Sequence, residues 1–120
     1  MHTLTGARSR ALCRLDGIPD GGARGFAPPP GGCTGLFAVR RGERVFAYLN
    51  VCPHIGVPLE WTPNQFLNAD GTRIVCALHG AEFRVEDGVC LRGPCKGDRL
   101  EAVPCEVVDG VALVPGNAGL

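Results

Sequence analysis

Short apolar runs alternate with polar positions at a period of two along most of this chain, and nearly every run stops at Gly, Pro, Asp or Asn. That pattern predicts half-buried strands joined by tight turns. Ala11–Leu15 predicts a first strand, closed by Asp16-Gly17 and Pro19-Asp20-Gly21-Gly22. Phe26–Cys33 carries three prolines and two glycines and predicts a surface loop. Leu36–Arg40 and Arg44–Leu49 predict two strands joined at Arg41-Gly42-Glu43, with Val45, Ala47 and Leu49 on one face and Phe46 and Tyr48 on the other. Gln65–Asn68 predicts a short strand that turns at Asp70-Gly71 into Thr72–Val75. Ala81–Val85 and Val89–Leu91 predict a pair turning at Glu86-Asp87-Gly88, followed by a turn-rich loop over Arg92–Asp98. Leu100–Val103, Cys105–Val108 and, after Asp109-Gly110, Val111–Val114 complete the series. The fold class expected is all-β. With no internal repeat and no linker, residues 1–120 are expected to form a single domain.

Composition narrows the partners. Twelve basic residues balance twelve acidic ones, which gives no reason to expect nucleic acid or an anionic membrane as partner. The apolar runs are too short for a membrane span or a signal-peptide core, and Arg8-Ser9-Arg10 is not a twin-arginine signal, so a cytoplasmic address is expected. Seven cysteines is an odd number, and in a reducing compartment metal ligation is the better expectation than a disulfide framework. Cys13 and Cys33 have no ligand-type neighbours and are expected to be small, half-buried residues. Cys90 and Cys105 fall in strand patterns and are expected to be buried.

The chemistry concentrates in two short segments. Cys52-Pro53-His54 and Cys76-Ala77-Leu78-His79-Gly80 each offer one thiolate and one imidazole, and they hold two of the chain's three histidines. Each follows directly on a predicted strand, which holds a ligand better than a loose loop does. Two metal centres suit such a donor set: a structural Zn²⁺ bound by two Cys and two His, and a [2Fe–2S] cluster in which two His replace two Cys on one iron. Pairing Cys with His within each segment is unlike most zinc motifs, where Cys pairs with Cys and His with His.

From Cys52 to Leu59, and again from Cys76 to Gly80, the sequence resembles the Rieske iron–sulfur family, and most of all its small soluble ferredoxins. The resemblance takes in the Pro between Cys52 and His54, Gly56-Val57-Pro58-Leu59, the Gly after His79, Phe83 and Gly93-Pro94, and runs from about Leu36 to Val114. It implies antiparallel sheets with a small cluster-binding subdomain, about residues 50–98. It implies one [2Fe–2S] cluster per chain, with Cys52 and Cys76 on one iron and His54 and His79 on the other. Neutral imidazoles in place of two thiolates raise the reduction potential above that of an all-Cys cluster. Gly56 and Gly80 are expected to let the backbone pass close to the cluster and aim N–H groups at its sulfurs. Trp61–Asp70 is expected to be an extra excursion in which Trp61 and Phe66 pack.

Where the membrane branch of the family carries an additional disulfide between the loops, this chain has Val57 and Leu78. Where that branch has hydroxyl donors, it has Ala81 and Phe83. A potential at the low end of the Rieske range, on the order of −150 mV, is therefore expected, falling as pH rises through the imidazole ionisations. The resemblance implies a one-electron carrier between a reductase and a redox enzyme such as an oxygenase, without a catalytic site of its own. The alternatives are the small iron–sulfur subunit of a larger, nitrite-reductase-like oxidoreductase and a structural zinc module. Cys95, next to Pro94, is expected to be a small loop residue, with a cluster-tuning thiol as the sharper reading.

Overall fold

A computed structural model describes residues 9–28, 34–53, 59, 64–77, 80–93, 96–116 and 118. Ten strands form among them: β1 Ser9–Arg14, β2 Ala23–Phe26, β3 Leu36–Arg41, β4 Arg44–Leu49, β5 Arg73–Val75, β6 Glu82–Arg84, β7 Cys90–Arg92, β8 Ala102–Val103, β9 Glu106–Val108 and β10 Val111–Pro115. They make three antiparallel sheets, ordered β1-β10-β9, β2-β3-β4-β8 and β5-β6-β7. The all-β expectation holds. Among the described residues no helix is long and apolar enough to cross a membrane.

The alternation in β3 and β4 explains the layering. Leu36, Phe37, Ala38 and Val39 are all buried, so both faces of the central sheet are covered. One face, with Phe37, Val39 and Tyr48, packs on Phe66, Ile74 and Phe83 of the 64–92 region. The other, with Leu36, Ala38 and Ala47, packs on Ile18 and Val114. Val45 and Leu49 pack with this second core and Phe46 with the first, the face assignment that a period of two predicts.

The small β5-β6-β7 sheet is fastened to the central sheet by hydrogen bonds. The fully buried Tyr48 hydroxyl donates to the Val85 carbonyl at 2.5 Å. The 98–103 segment spans both sheets. Cys90 N–H donates to the Asp98 carbonyl at 2.8 Å, Leu100 N–H donates to the Gly88 carbonyl at 2.9 Å, and Leu49 N–H donates to the Glu101 carbonyl at 2.9 Å.

Several boundaries differ from the sequence expectation. Leu15 opens a 3-10 turn, with Ile18 N–H donating to its carbonyl at 3.2 Å. β2 arises where no strand was expected. Ala23–Phe26 pairs residue by residue with Val39–Leu36, and the N–H of Gly25 donates to Asn64 Oδ1 at 2.8 Å. Gln65–Asn68 does run against β5, through the bridge Leu67–Ile74 and the hydrogen bonds from Val75 N–H to the Phe66 carbonyl at 2.8 Å and from Asn68 N–H to the Arg73 carbonyl at 2.9 Å. It forms no full strand, because the Asn68 side chain takes the N–H groups of Thr72 and Arg73 and closes a turn there. Cys90 is buried as expected, but Cys105 lies just before β9 and is only partly buried. Cys13 is half-buried, as expected. Trp61, Cys33 and Cys95 lie outside the described residues.

Burial pushes the Cys105 thiol up to about 11, with the charges of Cys13 and Glu106 acting in the same direction. The folded state thus holds this proton more tightly than an unfolded chain, whose thiol titrates near 9.0. The Cys105 contribution to stability is complete below pH 9.0 and is lost progressively between 9.0 and about 11. Denaturant midpoints measured across that window are expected to fall less steeply for Cys105→Ala than for the parent chain. Parallel curves would show that the thiol is not held protonated by the fold.

Candidate metal centre

Each candidate cysteine stands at the exit of a strand. β4 ends at Leu49 and Cys52 follows three residues later, while β5 ends at Val75 and Cys76 is next. Both cysteines are fully buried in the same core, with Leu59, Ala81 and Phe83. None of the five described cysteines is in a disulfide. His54 and His79 lie outside the described residues, as do Gly56, Val57, Leu78 and Pro94. Among the described residues, no cluster of three or more His, Cys, Asp or Glu is assembled.

The second segment is closed on itself. Cys76 N–H donates to the Ala81 carbonyl at 2.9 Å and Gly80 N–H donates to the Cys76 carbonyl at 2.8 Å. This reverses the chain within six residues and puts Gly80 at φ +69°, a left-handed conformation that glycine adopts without a Cβ penalty. The expectation that Gly80 aims its N–H at a sulfur needs correction, because that donor is taken by the Cys76 carbonyl, the nearest acceptor once the turn forms. A Cβ at Gly80 would meet nothing within 4 Å, so the backbone angle, not crowding, calls for glycine.

The first segment is tied to the second through Leu59. Ala77 N–H donates to the Leu59 carbonyl at 2.8 Å, and Leu59 N–H donates to Asn50 Oδ1 at 2.9 Å. A third stretch also reaches the site. Gly93, at φ +107°, comes so close to Ala81 that a Cβ there would sit 2.8 Å from the Ala81 Cα. Gly93, directly after β7, is therefore pressed against the end of the second segment. Sequence reasoning did not single out Asn50. Its signal was an amide side chain at a strand exit, a place where Asn commonly bonds nearby backbone.

The donors fit an iron–sulfur centre. Two thiols, the soft ligands that iron–sulfur clusters use, are held in apolar surroundings, Cys76 on an internally bonded turn. Ala81 and Phe83 are both buried and supply no hydroxyl donor. Cys90 is nearly as buried, but its thiol donates to the Arg92 carbonyl at 3.3 Å on β7. The outer face of the small sheet carries the ion pairs Arg73–Glu82 at 3.0 Å and Arg84–Asp87 at 3.2 Å. Both are part-exposed, so each adds little stability.

Comparison with known proteins gives the family and the fold. Residues 29–108 match the Rieske [2Fe-2S] domain family. No curated protein matches the chain. Among solved structures, the ferredoxin of carbazole 1,9a-dioxygenase from Nocardioides aromaticivorans IC177 is 26% identical, with a TM-score of 0.72 over 91% of this chain and 98% of that one. A chain in a complex of reduced oxygenase and oxidised ferredoxin of carbazole 1,9a-dioxygenase is 26% identical, with a TM-score of 0.71 over 93% of this chain and 96% of that one. The Sphingomonas yanoikuyae B1 ferredoxin, 24% identical with a TM-score of 0.68 over 90% of this chain and 98% of its own, shares the fold.

Proposed function

The chain belongs to the Rieske [2Fe–2S] domain family, and from that premise we propose that it is a one-electron carrier delivering electrons from a reductase to a redox enzyme such as an oxygenase. The family brings the [2Fe–2S] cluster with it, and the structural zinc alternative falls away. In this reading Cys52, His54, Cys76 and His79 hold the cluster, within a single domain spanning residues 1–120. When bound, the cluster takes up and returns one electron. The chain's own residues supply the rest. Cys52 and Cys76 present thiolates from inside the core. The loop backbone fixes their spacing, and Leu59, Ala81 and Phe83 exclude water on that side.

The observation that carries this reading is the burial of both cysteines on two mutually bonded loops at strand exits. Both cysteines are fully buried, so exchange is assigned to the imidazole side, through His54 and His79. The two 26%-identical structures are a dioxygenase ferredoxin and a chain from an oxygenase–ferredoxin complex, matched over 98% and 96% of their lengths. That supports a carrier serving an oxygenase more than a subunit of a larger oxidoreductase. A cytoplasmic location and the lack of a catalytic site belong to the same proposal. With two of the three histidines used at the cluster, only His2 is left for any further imidazole site.

The test is an EPR spectrum of the dithionite-reduced protein prepared without air. An anisotropic signal with mean g below the free-electron value is expected, and a silent sample with no iron would overturn the reading. The midpoint potential is expected on the order of −150 mV, the low end for such clusters, because Ala81 and Phe83 offer no hydroxyl hydrogen bond to a sulfur. A value well above zero would refute that argument.

A further inference from the structure

We propose that Asn50 is a positioning residue that sets the spacing of the two ligand loops through Leu59, acting as a noncovalent strap; the inference rests on the four-ligand reading above. Asn50 lies two residues before Cys52, and Ala77 directly follows Cys76. Leu59 sits between them, fully buried. Its N–H donates to Asn50 Oδ1 at 2.9 Å, and its carbonyl accepts from Ala77 N–H at 2.8 Å. At the other end, Asn50 N–H donates to the Gly35 carbonyl at 3.0 Å, at the foot of β3. Three hydrogen bonds thus run from the foot of the central sheet, through Asn50 and Leu59, to the residue beside the second cysteine.

The strap matters because the two places where the family's membrane branch ties the loops covalently carry no cysteine here. Val57 and Leu78 occupy the places where a disulfide could otherwise tie them, and neither can form one. The buried Leu59 N–H has no access to water, so losing Oδ1 leaves a donor unsatisfied and pulls the loop out of register. Asparagine also suits the position electrically. It accepts the hydrogen bond as aspartate would, without adding a negative charge beside two thiolates.

Two readouts on the cluster-loaded protein test this: amide hydrogen exchange in peptides covering residues 55–60 and 77–81, and the rate of iron release to a chelator. Asn50→Ala is expected to deprotect both peptides and to speed release about 10–100-fold, the usual effect of removing an outer partner of a metal ligand. Exchange across β3 and β4 is expected to stay unchanged. Asn50→Asp is expected to keep both peptides protected while lowering the midpoint potential. Parent-like exchange and release in Asn50→Ala would overturn the proposal. So would a parent protein whose Leu59 amide already exchanges at the rate of an open chain, a measurement that stands even if Asn50→Ala does not fold. The iron content and EPR signal of the parent report on the ligand reading separately, so failure of the strap and failure of the ligand set are distinguishable.

Discussion

Cys76→Ser, and separately Cys52→Ser, is expected to yield a protein retaining less than about a tenth of the parent iron, without the EPR signal of the reduced cluster. A serine hydroxyl is a harder donor than a thiol and stays protonated where a thiol ionises, so it is a poor replacement for a thiolate in an iron–sulfur cluster. Both positions are fully buried, and each serine leaves a hydroxyl in apolar surroundings that costs about 1–3 kcal/mol if it finds no partner. Loss of stability alone would therefore be an ambiguous result. Cys90→Ser separates the two causes. Cys90 is 2% exposed in the same core, but its thiol is engaged with the Arg92 carbonyl on β7. A serine can make the same hydrogen bond, and Cys90→Ser is expected to keep its full iron content. Iron retained in Cys76→Ser, or lost in Cys90→Ser, would reassign the ligands.

The second large effect is expected at Phe37. Its ring stacks on Phe66 with centroids 4.4 Å apart and planes at 7°, and it meets Tyr48 at 5.8 Å and 35°. These three rings join the central sheet to the excursion that leads back toward β5 and Cys76. Phe37→Ala removes a fully buried side chain and both ring contacts, an expected loss of about 3–5 kcal/mol. That is a large share of the roughly 5–15 kcal/mol that holds a domain together. The urea midpoint is expected to drop sharply with an unchanged slope, and Phe37→Leu to recover about half of the loss, since it refills part of the cavity. A change below about 1 kcal/mol would mean that the site collapses freely and that the rings are not a structural joint.

The sequence legibly carried whatever depends on neighbours in the chain. Alternation in Leu36–Leu49 assigned Val45, Ala47 and Leu49 to one face and Phe46 and Tyr48 to the other, because side chains on a strand must alternate. The two Cys–His segments stood out because ligand chemistry is written in residue type and short spacing, and both cysteines do lie at strand exits. Ala23–Phe26 gave no strand signal. Its alanine and glycine carry little β preference, and it pairs only because β3 offers an edge and Asn64 takes up the N–H of Gly25. Gln65–Asn68 had a strand-like pattern, but the Asn68 side chain captured the backbone donors of the following turn.

The sequence by itself determined the all-β class and the alternating faces, and it supplied the donor set proposed for the cluster. The tertiary structure decided how the loops are held: Asn50 to Leu59, Leu59 to Ala77, Gly93 against Ala81, and Tyr48 to Val85. Each of those contacts has a backbone group on at least one side, and backbone N–H and carbonyl groups are common to nearly all residue types. The Asn50, Tyr48 and Gly93 residues are visible in the sequence, but the distant partner each one meets is set only once the chain has folded and brought the segments together.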